Sequence, residues 1–171
     1  SRFEEAFGLI RRLLAGETVD YAGRFYDVVG GCIDPISRPG GPPLMVGSTA
    51  PRMLSITLPY VQSWNVWWSR FGNTVEGFAS EAARVEELAE QAGRAPREVQ
   101  ATAAVYVQVP GGAGRTMGSD AATALPMRGT QQELAEQLAA FGAAGCDHLQ
   151  LVVDPITQAS IEWLGGVLEL L

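Results

Sequence analysis

Pro43-Leu44-Met45-Val46-Gly47-Ser48-Thr49-Ala50-Pro51-Arg52 is an apolar run that breaks into small residues and then meets a proline. Leu44 to Val46, bounded by Pro and Gly, read as a short buried strand. Pro51 suits the first turn of a helix, because its missing N–H would be unpaired there in any case. Gly47, Ser48 and Thr49 therefore occupy a strand-to-helix junction. In an α/β protein that junction lies at the carboxyl edge of the sheet, where a helix N-terminus offers free backbone N–H groups and a positive dipole end to an anion such as phosphate. Gly and Ser also populate such loops for turn geometry alone, so this stretch by itself leaves both readings open.

Upstream, Phe3, Phe7, Ile10 and Leu14 recur at helical spacing, with Glu4 and Glu5 near the start and Arg11 and Arg12 near the end. This is an amphipathic helix whose charges complement its dipole. Residues 17–43 carry so many glycines and prolines that a long ordered loop is expected, with one short extended piece near Tyr21 to Val28. Downstream, a helix over Pro51 to Leu58 precedes a strand over Val61 to Val66. A helix over Val75 to Ala92, opened by Asn73 or Thr74, leads to a strand over Val99 to Val109. Residues 110–128 read as a loop with a helical turn at Ala121 to Ala124. Thr130-Gln131-Gln132-Glu133 is a capping box and opens the next helix. Leu149 to Val153 form the last strand, broken by Asp154-Pro155, and a final helix covers Thr157 to Leu171. Strict alternation of helices with apolar strands implies a parallel sheet covered by helices, either doubly wound or part of a (β/α) barrel. No glycine-rich dinucleotide fingerprint follows any strand, which favours the barrel.

The chain has 171 residues, enough for one domain spanning residues 1–171, and a net charge of −7 without a basic cluster longer than Arg11-Arg12. That charge argues against nucleic acid or an anionic membrane as partner. Cys32 and Cys146 lie far apart and His148 is the one histidine, so no metal site is expected and a reduced, cytoplasmic setting is the default. No apolar run approaches a membrane span. Ser1 begins inside what already reads as a helix, so further chain is expected ahead of it.

Several short motifs, weak singly but specific in their order and spacing, carry a family resemblance. They are Arg2-Phe3-Glu4-Glu5-Ala6 with Gly16-Glu17, Gly23-Arg24-Phe25-Tyr26, Pro43 to Arg52, Trp64-Asn65, and Gly129-Thr130 leading to Gly145-Cys146-Asp147-His148-Leu149. Together they resemble the C-terminal half of the bacterial luciferase-like monooxygenases, flavin- or coenzyme F420-dependent (β/α)-barrel oxidoreductases, from the fourth helix through strands five to eight. One departure is local: Val61-Gln62-Ser63 stands where members commonly have an alanine-aspartate pair before the Trp-Asn signature. The resemblance implies a fragment without the first-half residues that complete the cofactor and substrate pocket, inactive alone. A non-catalytic half-barrel binding or assembly protein is the alternative.

The resemblance also implies roles for particular residues. Gly47, Ser48 and Thr49 would bind the phosphate of FMN or F420, with Arg52 either adding a cation there or paired at the surface. Trp64 and Asn65 would line the pocket for a small organic substrate, or serve as core and loop cap. Trp67, Trp68 and Phe71 would wall a channel or pack on the missing half. His148, at the start of its strand, lies on the stability face, away from acid-base work. Asp154 reads as a loop cap, Tyr106 and Gln108 are marginal candidates, and no catalytic acid, base or nucleophile stands out. A half barrel would leave Leu44, Val46, Tyr106, Leu151 and Val153 on an uncovered inner face, so a homodimer or association with the missing N-terminal half is expected.

Overall fold

The computed structural model describes residues 1–36, 38–114 and 125–171. They divide into two compact units, Ser1–Leu44 and Met45–Leu171. The helical turn expected at residues 121–124 lies outside the described residues.

In the first unit, helix α1 (Arg2–Leu14) opens on a capping box: Ser1 Oγ accepts from the Glu4 N–H, and the Ser1 amino group donates to the Glu4 carboxylate at 2.9 Å. The loop expected over residues 17–43 instead contains an antiparallel hairpin of β1 (Val19–Ala22) and β2 (Asp27–Gly31), with Tyr21 opposite Val28. Its turn is held from α1, where Glu5 Oε1 accepts from the Phe25 N–H at 2.9 Å and the Tyr26 N–H at 3.0 Å. Gly23 lies so close to the Glu5 carboxylate and the Tyr21 ring that a Cβ has no room. The glycines that read as punctuation are thus parts of a strand pair stabilised from another element, and periodicity carries no trace of that.

In the second unit a parallel sheet runs in the order β3 (Met45–Val46), β4 (Ser63–Trp67), β5 (Gln100–Gln108), β6 (His148–Asp154). Each strand is followed by its helix: α2 (Pro51–Thr57), α3 (Val75–Gln91), α4 (Gln131–Ala143) and α5 (Gln158–Leu168). Right-handed crossovers between strands in unbroken spatial order put every helix on one face. Accordingly α2 packs on α3, α3 on α4 and α4 on α5. A doubly wound sheet reverses its strand order at a switch point, and this one does not; the winding is that of a barrel. Thr74 rather than Asn73 caps α3, and Thr130 and Glu133 form the expected capping box of α4.

The core lies between sheet and helices, with Trp64, Val66, Ala103, Val105 and Val107 meeting Leu54, Phe78, Leu134 and Phe141. The rings of Phe71, Phe78 and Phe141 pack with centroids 5.7 to 6.2 Å apart. The register aligns Val46 with Trp64, Val105 with Leu151 and Val107 with Val153. Val46, Leu151 and Val153 therefore face the helices, contrary to the inner-face expectation, and Leu44 is half-buried. Tyr106 is on the other face but only 4% exposed, its ring centroid 5.1 Å from that of Trp68. An all-apolar strand hides which of its two alternating sets meets the helices. The face away from the helices is instead mixed, carrying Asn65, Thr102, Gln108, His148, Gln150 and Asp154 beside Met45 and Trp67.

Candidate functional site

β3 ends at Val46, anchored beside Trp64, and the chain turns through residues 47–50 before Pro51 starts α2. No side chain caps this helix at Ala50. Ser48 Oγ instead accepts from the Ala50 N–H at 3.2 Å, a local hydroxyl turn. Two carbonyls of the loop are bound from the layer beneath. The Trp64 indole N–H donates to the Ser48 carbonyl at 2.8 Å, and Arg84 Nη2 on α3 donates to the Thr49 carbonyl at 3.0 Å. Arg84 is itself paired with Glu81 at 2.8 Å. Because a trans peptide directs its N–H opposite to its C=O, the Thr49 N–H points away from Trp64 and the Ala50 N–H away from Arg84. Gly47 is exposed, and a Cβ built on it meets no heavy atom within 4 Å. Arg52, exposed in the first turn of α2, has no ion-pair partner among the described residues.

Trp64 and Asn65, adjacent in sequence, part to opposite faces of β4. Trp64 is 1% exposed and, with Ala82, Val85 and Ala89 of α3, lines a cavity of about 160 Å³. Asn65 is half-buried on the other face, its Oδ1 2.8 Å from the Thr102 hydroxyl, which fixes the amide plane. Of the aromatic run that follows, Trp68 and Phe71 are core, while Trp67 is 38% exposed.

His148 is exposed at the start of β6, and Asp154 is buried at its end, accepting from the Gly114 N–H at 2.7 Å and Gln108 Nε2 at 3.3 Å. It caps a loop, as read. Burial pushes the half-buried Cys146 thiol above its ordinary range. Among the described residues no three His, Cys, Asp or Glu side chains gather closely enough to hold a metal ion, and no helix is long and apolar enough to cross a membrane.

Arg84 escaped the sequence reading, and Asn73 was read only as a candidate helix opener. Arg84 lies in mid-helix with nothing to mark it. Asn73 does carry a signal, a Gly-Asn pair ahead of a helix, and adopts φ +59°. Its side chain does the work of a strand residue beyond the end of β4: Nδ2 donates to the Tyr106 carbonyl at 2.8 Å and Oδ1 accepts from the Tyr106 N–H at 2.9 Å.

Four consecutive strand-helix units wound in one direction, with a strand-to-helix loop at the carboxyl edge of the first, define a segment of a parallel (β/α) barrel. The profile of the luciferase-like monooxygenases matches residues 1–113, and the chain belongs to that family. Among solved structures it is similar to the coenzyme F420-dependent tetrahydromethanopterin reductase from Methanopyrus kandleri, with 16% identity, a TM-score of 0.68, and coverage of 96% of this chain and 60% of that one. A riboflavin lyase bound to modified FMN and riboflavin gives 14% identity, a TM-score of 0.73 and coverage of 98% and 56%. An EDTA monooxygenase from a Chelativorans species gives 10%, 0.68, and 97% and 58%. The chain thus spans less than two thirds of these structures. No curated protein sequence matches it.

Proposed function

We propose that this chain supplies the cofactor-phosphate wall of a flavin- or F420-dependent oxidoreductase or monooxygenase acting on a small organic substrate. Gly47, Ser48 and Thr49 hold the phosphate of FMN or F420, and Arg52 adds a cation one turn along. Asn65 faces the substrate side, with Trp67 beyond it, while Trp64 acts on the pocket through the Ser48 carbonyl. The observation that carries this reading is the loop itself: two carbonyls drawn to Trp64 and Arg84, the Thr49 N–H turned the other way, and open space before Gly47 through which a phosphate can reach the backbone. Kinship supports it, since the similar structures include an F420-dependent reductase and a riboflavin lyase with modified FMN. Such a cofactor supplies hydride transfer, and the chain's part is to bind and orient it.

Titration of the chain with FMN and with F420, followed by fluorescence and set against phosphate-free riboflavin, tests the assignment. Tighter binding of a phosphorylated cofactor than of riboflavin is expected. Equal binding of FMN and riboflavin, together with indifference to F420, would remove the loop from the site. Turnover is expected only when the remaining strands of a barrel, from an N-terminal segment or a second copy, complete the pocket.

A further inference from the structure

We propose that the cavity of about 160 Å³ beside Trp64 is a binding site for a neutral, single-ring phenol. It lies on the helix-covered side of the sheet and at its amino edge, between α3, the start of β5 and the turn that leads into β6. The 47–50 loop is at the other edge, and the inference does not rest on the phosphate reading above.

The space follows from the sequence. Ala82, Val85 and Ala89 recur at three- and four-residue spacing, so they share one side of α3, and Ala101 of β5 also lines the cavity. Short side chains on both layers leave open what larger ones would fill. The floor is apolar, made by Trp64, Val85 and Ala89, all buried. An apolar cavity of about 150 Å³ takes up benzene, so this one suits a single aromatic ring, and Trp64 offers it an aromatic partner. The mouth is polar and carries both signs of charge, from Glu86, Arg97 and Asp147. Glu86 Oε1 accepts from the Arg97 N–H at 3.1 Å, and Asp147 Oδ2 accepts from the Ala101 N–H at 2.8 Å. Arg97 Nη2 meets Asp147 Oδ1 only at 3.4 Å, long for a charge-assisted pair, and the Arg97 side chain is 61% exposed. A carboxylate and a guanidinium each have hydrogen-bonding capacity beyond these contacts. A hydroxyl at the mouth uses both, donating to Glu86 and accepting from Arg97. A ring carboxylate would meet two like charges, Glu86 and Asp147, and a ring ammonium cannot accept from Arg97.

The test titrates phenol into the 171-residue chain, read by the Ala89 methyl and Ala101 amide resonances, with benzene, benzoate and benzylammonium as comparators. Phenol shifts both resonances with a Kd of about 1 mM or below, and binds more tightly than each of the three comparators. Ala82→Leu, which fills the space, raises the phenol Kd by about tenfold or more. Arg97→Met raises it by about three- to tenfold, the worth of one net hydrogen bond, and leaves the benzene Kd unchanged, a split that a merely structural role would not give. Absence of a phenol-dependent shift at both resonances, or an undiminished affinity in Ala82→Leu, overturns the site. Benzoate or benzylammonium bound as tightly as phenol overturns the ligand class. Should Ala82→Leu prevent folding, Arg97→Met, at an exposed side chain, decides alone: a raised phenol Kd with an unchanged benzene Kd supports the proposal, and any other pattern overturns it.

Discussion

At the residue scale, Gly47 separates ligand approach from folding. Since a Cβ there meets nothing within 4 Å and the φ lies outside the left-handed region, Gly47→Val leaves the loop unstrained while filling the space before its amides. The expected outcome is an unchanged thermal midpoint with cofactor binding weakened at least tenfold, the scale of one obstructed phosphate contact, read by fluorescence titration. An unaltered Kd would show that phosphate does not approach there. Asn73 gives the opposite case. Its amide serves the Tyr106 N–H and carbonyl in the interior, so Asn73→Ala removes both bonds, leaves the carbonyl with the Met127 N–H, and places alanine at φ +59°. A loss of about 2–4 kcal/mol is expected in urea denaturation. What the sequence let one read follows from distance along the chain. The Gly47-Ser48-Thr49 junction is local chemistry and was legible. Asn73 and Arg84 act on partners 33 and 35 residues away; the Gly-Asn pair marks the turn at Asn73 but not its partner, and nothing near Arg84 marks it. Trp64 and Asn65 were legible as a pair at a strand end but not as residues on opposite faces, because alternation assigns faces only once the helices are placed.

At the scale of elements, α4 shows what a capping motif makes predictable. Thr130 donates to Glu133 Oε2 from its N–H at 2.7 Å and its hydroxyl at 2.9 Å, and these two bonds hold the carboxyl below its ordinary value of 4.5. A carboxylate with a lowered folded pKa contributes stability that is complete above 4.5 and is lost as the pH falls through its folded value. Acidification should therefore lower the protection factor of the Thr130 amide, its exchange rate taken relative to the intrinsic rate at each pH, before that of the interior of α4, and Glu133→Gln should flatten that dependence. Exchange at Thr130 with the same pH profile in both proteins would show that the carboxylate is not what closes the cap. The box was read correctly because four adjacent residues contain both of its halves. The hairpin β1–β2 was missed for the converse reason: its turn depends on Glu5, a full helix earlier in the chain, and its glycines are close-contact sites that resemble loop punctuation.

At the scale of the whole molecule, the order of elements was legible because each strand and helix declares its own period, whereas the character of the sheet's open face was not. An uncovered apolar surface was expected there, but alternation turns Val46, Leu151 and Val153 toward the helices and leaves Asn65, Gln150 and His148 among the outward set. The case for association shifts accordingly from the face to the edges. Among the described residues the outer edge of β6, seven residues long, has no partner strand, and neither does the outer edge of the two-residue β3. Unpaired backbone along an extended strand is a template for a further strand. Met45 at 48% exposure and Trp67 at 38% add apolar area near the β3 side. A second copy can satisfy both features by the same symmetric contact, as can barrel strands supplied by an N-terminal segment. Light scattering across a concentration series should therefore give a mass above the 18.2 kDa of one chain. Met45→Lys with Trp67→Lys should lower the association constant if the face contributes, whereas Leu151→Pro, at a position whose N–H faces away from β5, should do so if the β6 edge pairs. A compact monomer at micromolar concentration would mean that the edges are tolerated in water, and the argument from unpaired strands would fail.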